Sequence, residues 1–230
     1  MGVDGAGAGW SQRDRMLLRT AQVIHAHVHG EFDQILPVPV DFAVGGTYPE
    51  NRIVAVAPFS VYALEARGDG SYAHDGGFFL ATGRGGLAIT AGAALGRAVG
   101  NARRRAAAAR AVQPSWHHLE GGMLCVNQFG FYLRTPTSLL WWDWGSILEC
   151  HMVEPGRLGM LGMTPAGQCT YLIESDLAEL VFATWAMKRQ PQHVQFLHRV
   201  WLLPDWIERY RAVYGPGAFD FTVPFRHQLG

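Results

Sequence analysis

The stretch GGMLCVNQFGFYLRTPTSLLWWDWGSILECHMVEPGRLGMLGMTPAGQCTYLIES, residues 121–175, decides the fold. Apolar and aromatic runs at 123–128, 129–134, 138–144, 147–153, 158–163 and 168–173 follow one another with Gly or Pro between them. A spacing of roughly ten residues between such runs predicts an antiparallel meander. The period then changes. Asp176 stands where a helix N-cap belongs, and Leu177, Leu180, Val181, Thr184 and Trp185 fall on one helical face. Strands followed by one helix make a small barrel or sandwich plugged at one end.

Working outward, RIVAVAPFSVYALEA at 52–66 reads as strand, with Pro58 splitting it in two or marking a sheet edge. Residues 76–82, carrying Phe78, Phe79 and Leu80, read as another strand of the same sheet. Toward the N-terminus a helix is predicted over 12–34. Ser11 and Asp14 are spaced as a capping box, and Leu17, Thr20, Ala21, Ile24, Val28 and Phe32 form its stripe. Gly30 interrupts or ends it, and Pro37 and Pro39 impose an extended connection up to residue 49. Residues 1–10, with four glycines, read as a flexible arm. Beyond Pro191 a last helix is predicted over 193–214, with Val194, Leu197, Trp201, Trp206, Ile207 and Tyr210 inward and Pro204 at a kink or break. In the tail, 216–230, Phe219, Phe221, Val223 and Phe225 alternate, which predicts that it lies on the domain or on a neighbouring subunit.

At 230 residues the chain can bury about 70% of its unfolded surface, enough for a real core. Lys+Arg and Asp+Glu balance at 19 each, so no global charge points to a nucleic-acid or acidic partner. No basic segment followed by an apolar run opens the chain, and no run approaches the roughly 20 apolar residues of a spanning helix. The expectation is a soluble, cytoplasmic protein. Cys125, Cys150 and Cys169, odd in number and inside predicted strands, fit small buried thiols better than a disulfide or a zinc site.

The insertion at 83–113 is the most unusual segment. Gly92, Gly96 and Gly100 recur at every fourth residue, so one face of a helix would lack side chains and admit another backbone closely. Each interior glycine costs about 1 kcal/mol relative to alanine, so packing must compensate. The insertion also holds six arginines, Arg84, Arg97, Arg103, Arg104, Arg105 and Arg110, and no acid. Three uses fit: packing inside this protein with the arginines solvated near the helix C-terminus, association with a second copy or partner helix, or lying on an anionic membrane with the arginines on phosphates. A single basic cluster without interleaved aromatics does not make a nucleic-acid surface.

Histidine, tryptophan and carboxylate clusters are the remaining candidates for chemistry. His25, His27 and His29 would share one face of a strand and offer a metal three imidazoles, but a helix disperses them. Trp141, Trp142 and Trp144 form an aromatic cluster able to line a groove, against the commoner use of tryptophan in core packing. Asp143, Glu149 and Glu154 have no spacing that makes them converge for acid–base work. No catalytic residue, metal site or cofactor is assigned.

The runs GGMLCVNQFGFYLRT, LLWWDWGSILECHMVEPGRLGM and GQCTYLIES, with the helix from Asp176, resemble the bacterial pleckstrin-homology-like superfamily. The insertion RGGLAITAGAALGRAVGNARRR resembles the glycine-rich helix and basic residues of some actinobacterial members. The resemblance covers roughly residues 50–190 and implies an α+β fold: a bent antiparallel β-barrel capped by a helix, with an inserted Gly-rich helix and extra terminal helices. Domains of this kind bind proteins, peptides or lipids without a catalytic centre, though a fold alone does not fix function. The implied division is arm 1–10, helix and connection 11–49, the barrel 50–190 with its insertion, and helix and tail 191–230. The expected function is a non-enzymatic module binding protein partners and self-associating through Gly92, Gly96 and Gly100. The alternative is a peripheral membrane protein using Arg97, Arg103, Arg104, Arg105 and Arg110; a metal-dependent enzyme using the N-terminal histidines comes last.

Overall fold

Side-chain alternation along 123–175 places apolar residues on one face of successive strands, and a computed structural model shows the sheet that results. It describes residues 9–42, 52–65, 114–165 and 167–215. The arm up to residue 8, the predicted strand at 76–82, the insertion at 83–113 and the tail after 215 lie outside these residues. The chain divides into two units, Met1–Ala63 with His118–Gly230, and Leu64–His117. In the smaller unit the described residues are strand ends, where the Ser115 hydroxyl lies 2.9 Å from His117 Nε2.

The fold is α+β. Seven strands, β1 (Ala55–Glu65), β2 (Ser115–Val126), β3 (Gly130–Arg134), β4 (Leu139–Asp143), β5 (Ile147–Glu154), β6 (Arg157–Thr164) and β7 (Gly167–Ser175), form one sheet in the order β4-β3-β2-β1-β7-β6-β5. The registers across β2–β3–β4 and β5–β6–β7 are antiparallel, and β1 joins the two meanders by pairing Phe59 with Ser175 and Ala63 with Tyr171. Pro58 therefore neither splits the strand nor marks an edge. It precedes the first β1–β7 pair, and its carbonyl accepts the Ser175 hydroxyl at 2.8 Å. The turns are short and side-chain-bonded. Asn127 Oδ1 accepts the N–H groups of Phe129 and Gly130, and Asp143 Oδ1 accepts those of Gly145 and Ser146.

The sheet curls into a half-barrel. Trp142 of β4 meets Tyr171 of β7 edge-on at 5.9 Å, although three strands stand between them in the sheet. Its ring lies over Gly162 of β6, where an added Cβ would stand 2.5 Å from the ring carbon Cζ3. Phe131, Leu133, Leu124, Leu158, Met160 and Ile173 fill the concave side, each burial contributing about 1.5–3 kcal/mol.

Among the described residues four helices complete the unit: α1 (Gln12–His29), α2 (Ala178–Arg189), the single turn α3 (Val194–Leu197) and α4 (Pro204–Tyr214). Helix α1 starts on the Ser11–Asp14 capping box and stops at Gly30 (φ 71°), five residues short of the predicted end, with a 3-10 turn at Phe32–Gln34. Helix α2 plugs the curl and is buried on all sides from Ala178 to Ala186, because α1 packs over the side the sheet leaves open. Its N-cap is Leu177, not Asp176; the Ser175 hydroxyl accepts the Leu177 N–H, and Asp176 pairs with Arg13 at 3.5 Å. The predicted final helix is broken, with Arg199 at φ 55° and Pro204 opening α4. Helical periodicity does not carry across the break. Val194 and Leu197 are exposed while Phe196 is buried. Among the described residues no helix is long and apolar enough to cross a membrane.

Arg13, Glu179 and Gly156 tie the layers together. Glu179 is buried, is ion-paired with Arg13, and accepts the Gly156 N–H at 2.8 Å. Burial pushes its carboxyl up, opposed by Arg13 and the hydrogen bonds. Replacing Arg13 with Met leaves a buried, uncompensated carboxylate and should cost about 3 kcal/mol at pH 7. Because the carboxyl is raised, it takes a proton more readily folded than unfolded, so the deficit shrinks as pH falls toward the ordinary glutamate value. Urea titrations of both proteins at pH 7 and pH 5 check this; an equal deficit at both would show that Glu179 is not the group responsible.

Candidate functional site

The two edges of the sheet differ. At the β5 edge, Met152 donates its N–H to Gln195 Oε1 at 2.9 Å and accepts Gln195 Nε2–H at 2.8 Å, so a carboxamide from α3 occupies that rung. At the β4 edge, among the described residues, no group outside β3 bonds the backbone of 139–142. Leu139, Leu140 and Trp141 there are 42%, 48% and 39% exposed, and no charged residue interrupts them. Natural edge strands are usually blunted by charge, proline or a covering element.

Strand alternation decides where the tryptophans go. Trp141 faces outward and packs on Tyr132 at 4.5 Å, whereas Trp142 points into the curl. Trp144, past the strand end, is buried against Phe131 and donates its Nε1–H to the Gln128 carbonyl at 3.0 Å. The three do not line a common groove. The outer aromatic row is instead Phe42, Tyr132 and Trp141. Phe42 arrives on the extended connection, where Val38 donates to the Ile53 carbonyl and Val38 and Val40 cover Cys125 and Tyr132. Arg134 fastens the end of that strap, paired with Asp41 and lying over the Phe42 ring.

Two cavities open beside α1. One, of about 380 Å³, is floored by Met16, Leu18, Val38 and Val56 and bears Arg15 and Arg19. The other, of about 400 Å³, holds Arg13, Glu174 and Asp176 at its wall. In the second, each carboxylate already has a partner: Asp176 faces Arg13, and Glu174 accepts the Tyr62 hydroxyl at 3.1 Å and pairs with Arg157 at 3.0 Å. That wiring ties strands and helix ends together. The carboxylates singled out in the sequence stay apart: Asp143 holds a turn and Glu154 pairs with Arg157.

Helix α1 separates the N-terminal histidines. His25 and His29 lie ring against ring at 4.0 Å, while His27 turns to pack on Phe32 at 4.3 Å. Among the described residues no three His, Cys, Asp or Glu side chains gather as a metal would require. Cys125 and Cys150 are buried free thiols, and desolvation pushes both up, Cys125 to about 11. Gly92, Gly96, Gly100 and the arginines at 97–110 lie outside the described residues, and so does the basis of the peripheral-membrane reading. Sequence reasoning missed Leu139, Leu140, Arg19 and Glu179. An uncharged LLWW run beginning a strand was the one signal available for the first two.

No protein-family model and no curated protein sequence matches the chain.

His27 gives the site's surroundings a pH dependence. Burial, and secondarily Lys188, lower it from 6.5 to about 4, and its Nε2 is buried without a partner. The unfolded chain therefore takes up this proton first. The stabilisation is complete above pH 6.5 and is lost as pH falls toward 4, on the order of 3 kcal/mol. Denaturant midpoints measured from pH 7 to pH 4 should fall over that window, and His27→Leu should flatten the fall; an unchanged profile would exclude His27 as its source.

Proposed function

We propose that this chain is a non-catalytic interaction module of pleckstrin-homology-like architecture that associates through the free edge of β4, with a second copy of itself as partner. The architecture is supported by the strand order, two antiparallel meanders joined through β1, and by the helix that follows the last strand into the curl. A non-catalytic role is supported by the polar cavity, whose carboxylates are held in structural ion pairs.

One observation carries the association: among the described residues, Gln195 closes the β5 edge while no group covers the β4 edge, where three exposed apolar residues stand in a row. An unpaired edge of that kind is a template for another strand. Antiparallel pairing about a two-fold at Leu140 sets Leu140 opposite its own copy, Leu139 opposite Trp141 and Ser138 opposite Trp142, each pair on one face. No like charges are then brought together.

Light scattering during size-exclusion chromatography tests the reading. The full chain should run above its monomer mass of 25.3 kDa, and Leu140→Glu should restore that mass with unchanged circular dichroism. Gly96→Leu separates this edge from the glycine stripe: a monomer produced by Gly96→Leu alone would move the interface to residues 83–113. A wild-type monomer at tens of micromolar would remove the self-association claim.

A further inference from the structure

The groove beside α1 contains a charge that the rest of the described structure does not neutralise. Arg13, Arg52, Arg134, Arg157 and Arg209 each face a carboxylate. Arg19 does not. Its Nε–H bonds the Val54 carbonyl at 2.8 Å and its Nη2 bonds the Leu36 carbonyl at 2.6 Å, both neutral acceptors. Arg15, one turn away on α1, bonds the Trp10 carbonyl at 3.3 Å. Among the described residues neither forms an ion pair. A guanidinium has five N–H donors, so two backbone acceptors leave donors to spare. Arg19 is also partly withdrawn from water, and that burial lowers it from the usual arginine value.

Both arginines line the apolar cavity of about 380 Å³ between α1 and the start of β1, where Leu18, Val54 and Ala55 are core residues. A volume of that order suits a small ligand, and apolar walls with a few charged groups are the usual make-up of such sites. The cationic side calls for an anion. Because Arg19 is already bonded twice, there is room for one anionic head, and the apolar side calls for a hydrocarbon body.

We propose that this groove binds a free small alkanoate, its carboxylate between Arg15 and Arg19 and its chain along Leu18, Val38 and Val56. The interaction goes beyond strand-edge association and uses a different face. Charge-assisted hydrogen bonds to a partly desolvated guanidinium are among the stronger polar contacts, so the head should contribute measurably to affinity.

Isothermal titration of the full chain with octanoate, with 1-octanol as the uncharged control, tests the assignment. Saturable binding of one octanoate per chain is expected, with at least about a tenfold loss in Arg19→Gln. Arg19 also ties Leu36 to Val54, so Arg15→Glu, at an exposed position, is the second variant; it should abolish binding while circular dichroism stays unchanged. The proposal fails if octanoate does not saturate below about 1 mM, if octanol binds equally well, or if Arg15→Glu leaves the affinity unaltered. It also fails if a short apolar peptide with a free C-terminal carboxylate binds and octanoate does not, an outcome that assigns the groove to a protein chain.

Discussion

Glu179 brings a carboxylate into the interior in the first turn of α2, and the positions of α1, α2 and the β5–β6 turn follow from how that charge is satisfied. Arg13 supplies the counter-charge from α1, and the Gly156 N–H supplies a hydrogen bond from the turn. Gly156 adopts φ 79°, and a Cβ there would stand 2.8 Å from Arg13 Nη1, so the turn needs glycine both for its backbone and for the guanidinium's passage. A buried pair of this kind is poor evidence of added stability, since a well-packed apolar set can equal it. What it does supply is a single arrangement. Sliding α1 by one turn along α2 would bury the glutamate without its arginine.

The apolar core imposes the second constraint. A seven-stranded antiparallel sheet with one apolar face must be covered, and here it covers itself in part by curling, with Trp142 reaching across to Tyr171 over Gly162. The remaining opening is filled by α2, whose Trp185 Nε1–H donates to the Ile147 carbonyl at 3.1 Å, giving a buried donor its partner. Outside, the strap through Phe42 covers Cys125 of β2 and Tyr132 of β3. Among the described residues, the β4 edge is what curl, plug and strap leave uncovered.

Legibility in the sequence followed the range of the interactions. The strands from 123 to 175 were readable because turn residues and side-chain alternation act within a few residues, and so was the capping box at Ser11. Pro58 misled because proline is informative about edges only when the partner strands are known, and β1's partner β7 lies over a hundred residues downstream. Asp176 looked like a cap and became a salt-bridge acceptor because Arg13 competes for it. Trp141 was noticed for its companions, yet alternation turns Trp142 the other way. Arg19 reads like any helical arginine until the strap it grips is in place.

The distribution of contacts along the chain also sets the order in which the fold can be completed. Asp14 caps α1 through Ser11, yet it also accepts Arg209 at 2.7 Å across 195 positions, and its carbonyl accepts the Trp206 Nε1–H across 192. Trp10 packs on Trp206 and Tyr214. Helix α1 therefore precedes its partners Trp206, Arg209 and Tyr214 by nearly two hundred positions of synthesis. Contacts of such long sequence separation slow folding, since loop closure precedes their reward. During that interval the end of α1 that meets α4 has no cover from it, which makes that end a point of engagement for a chaperone.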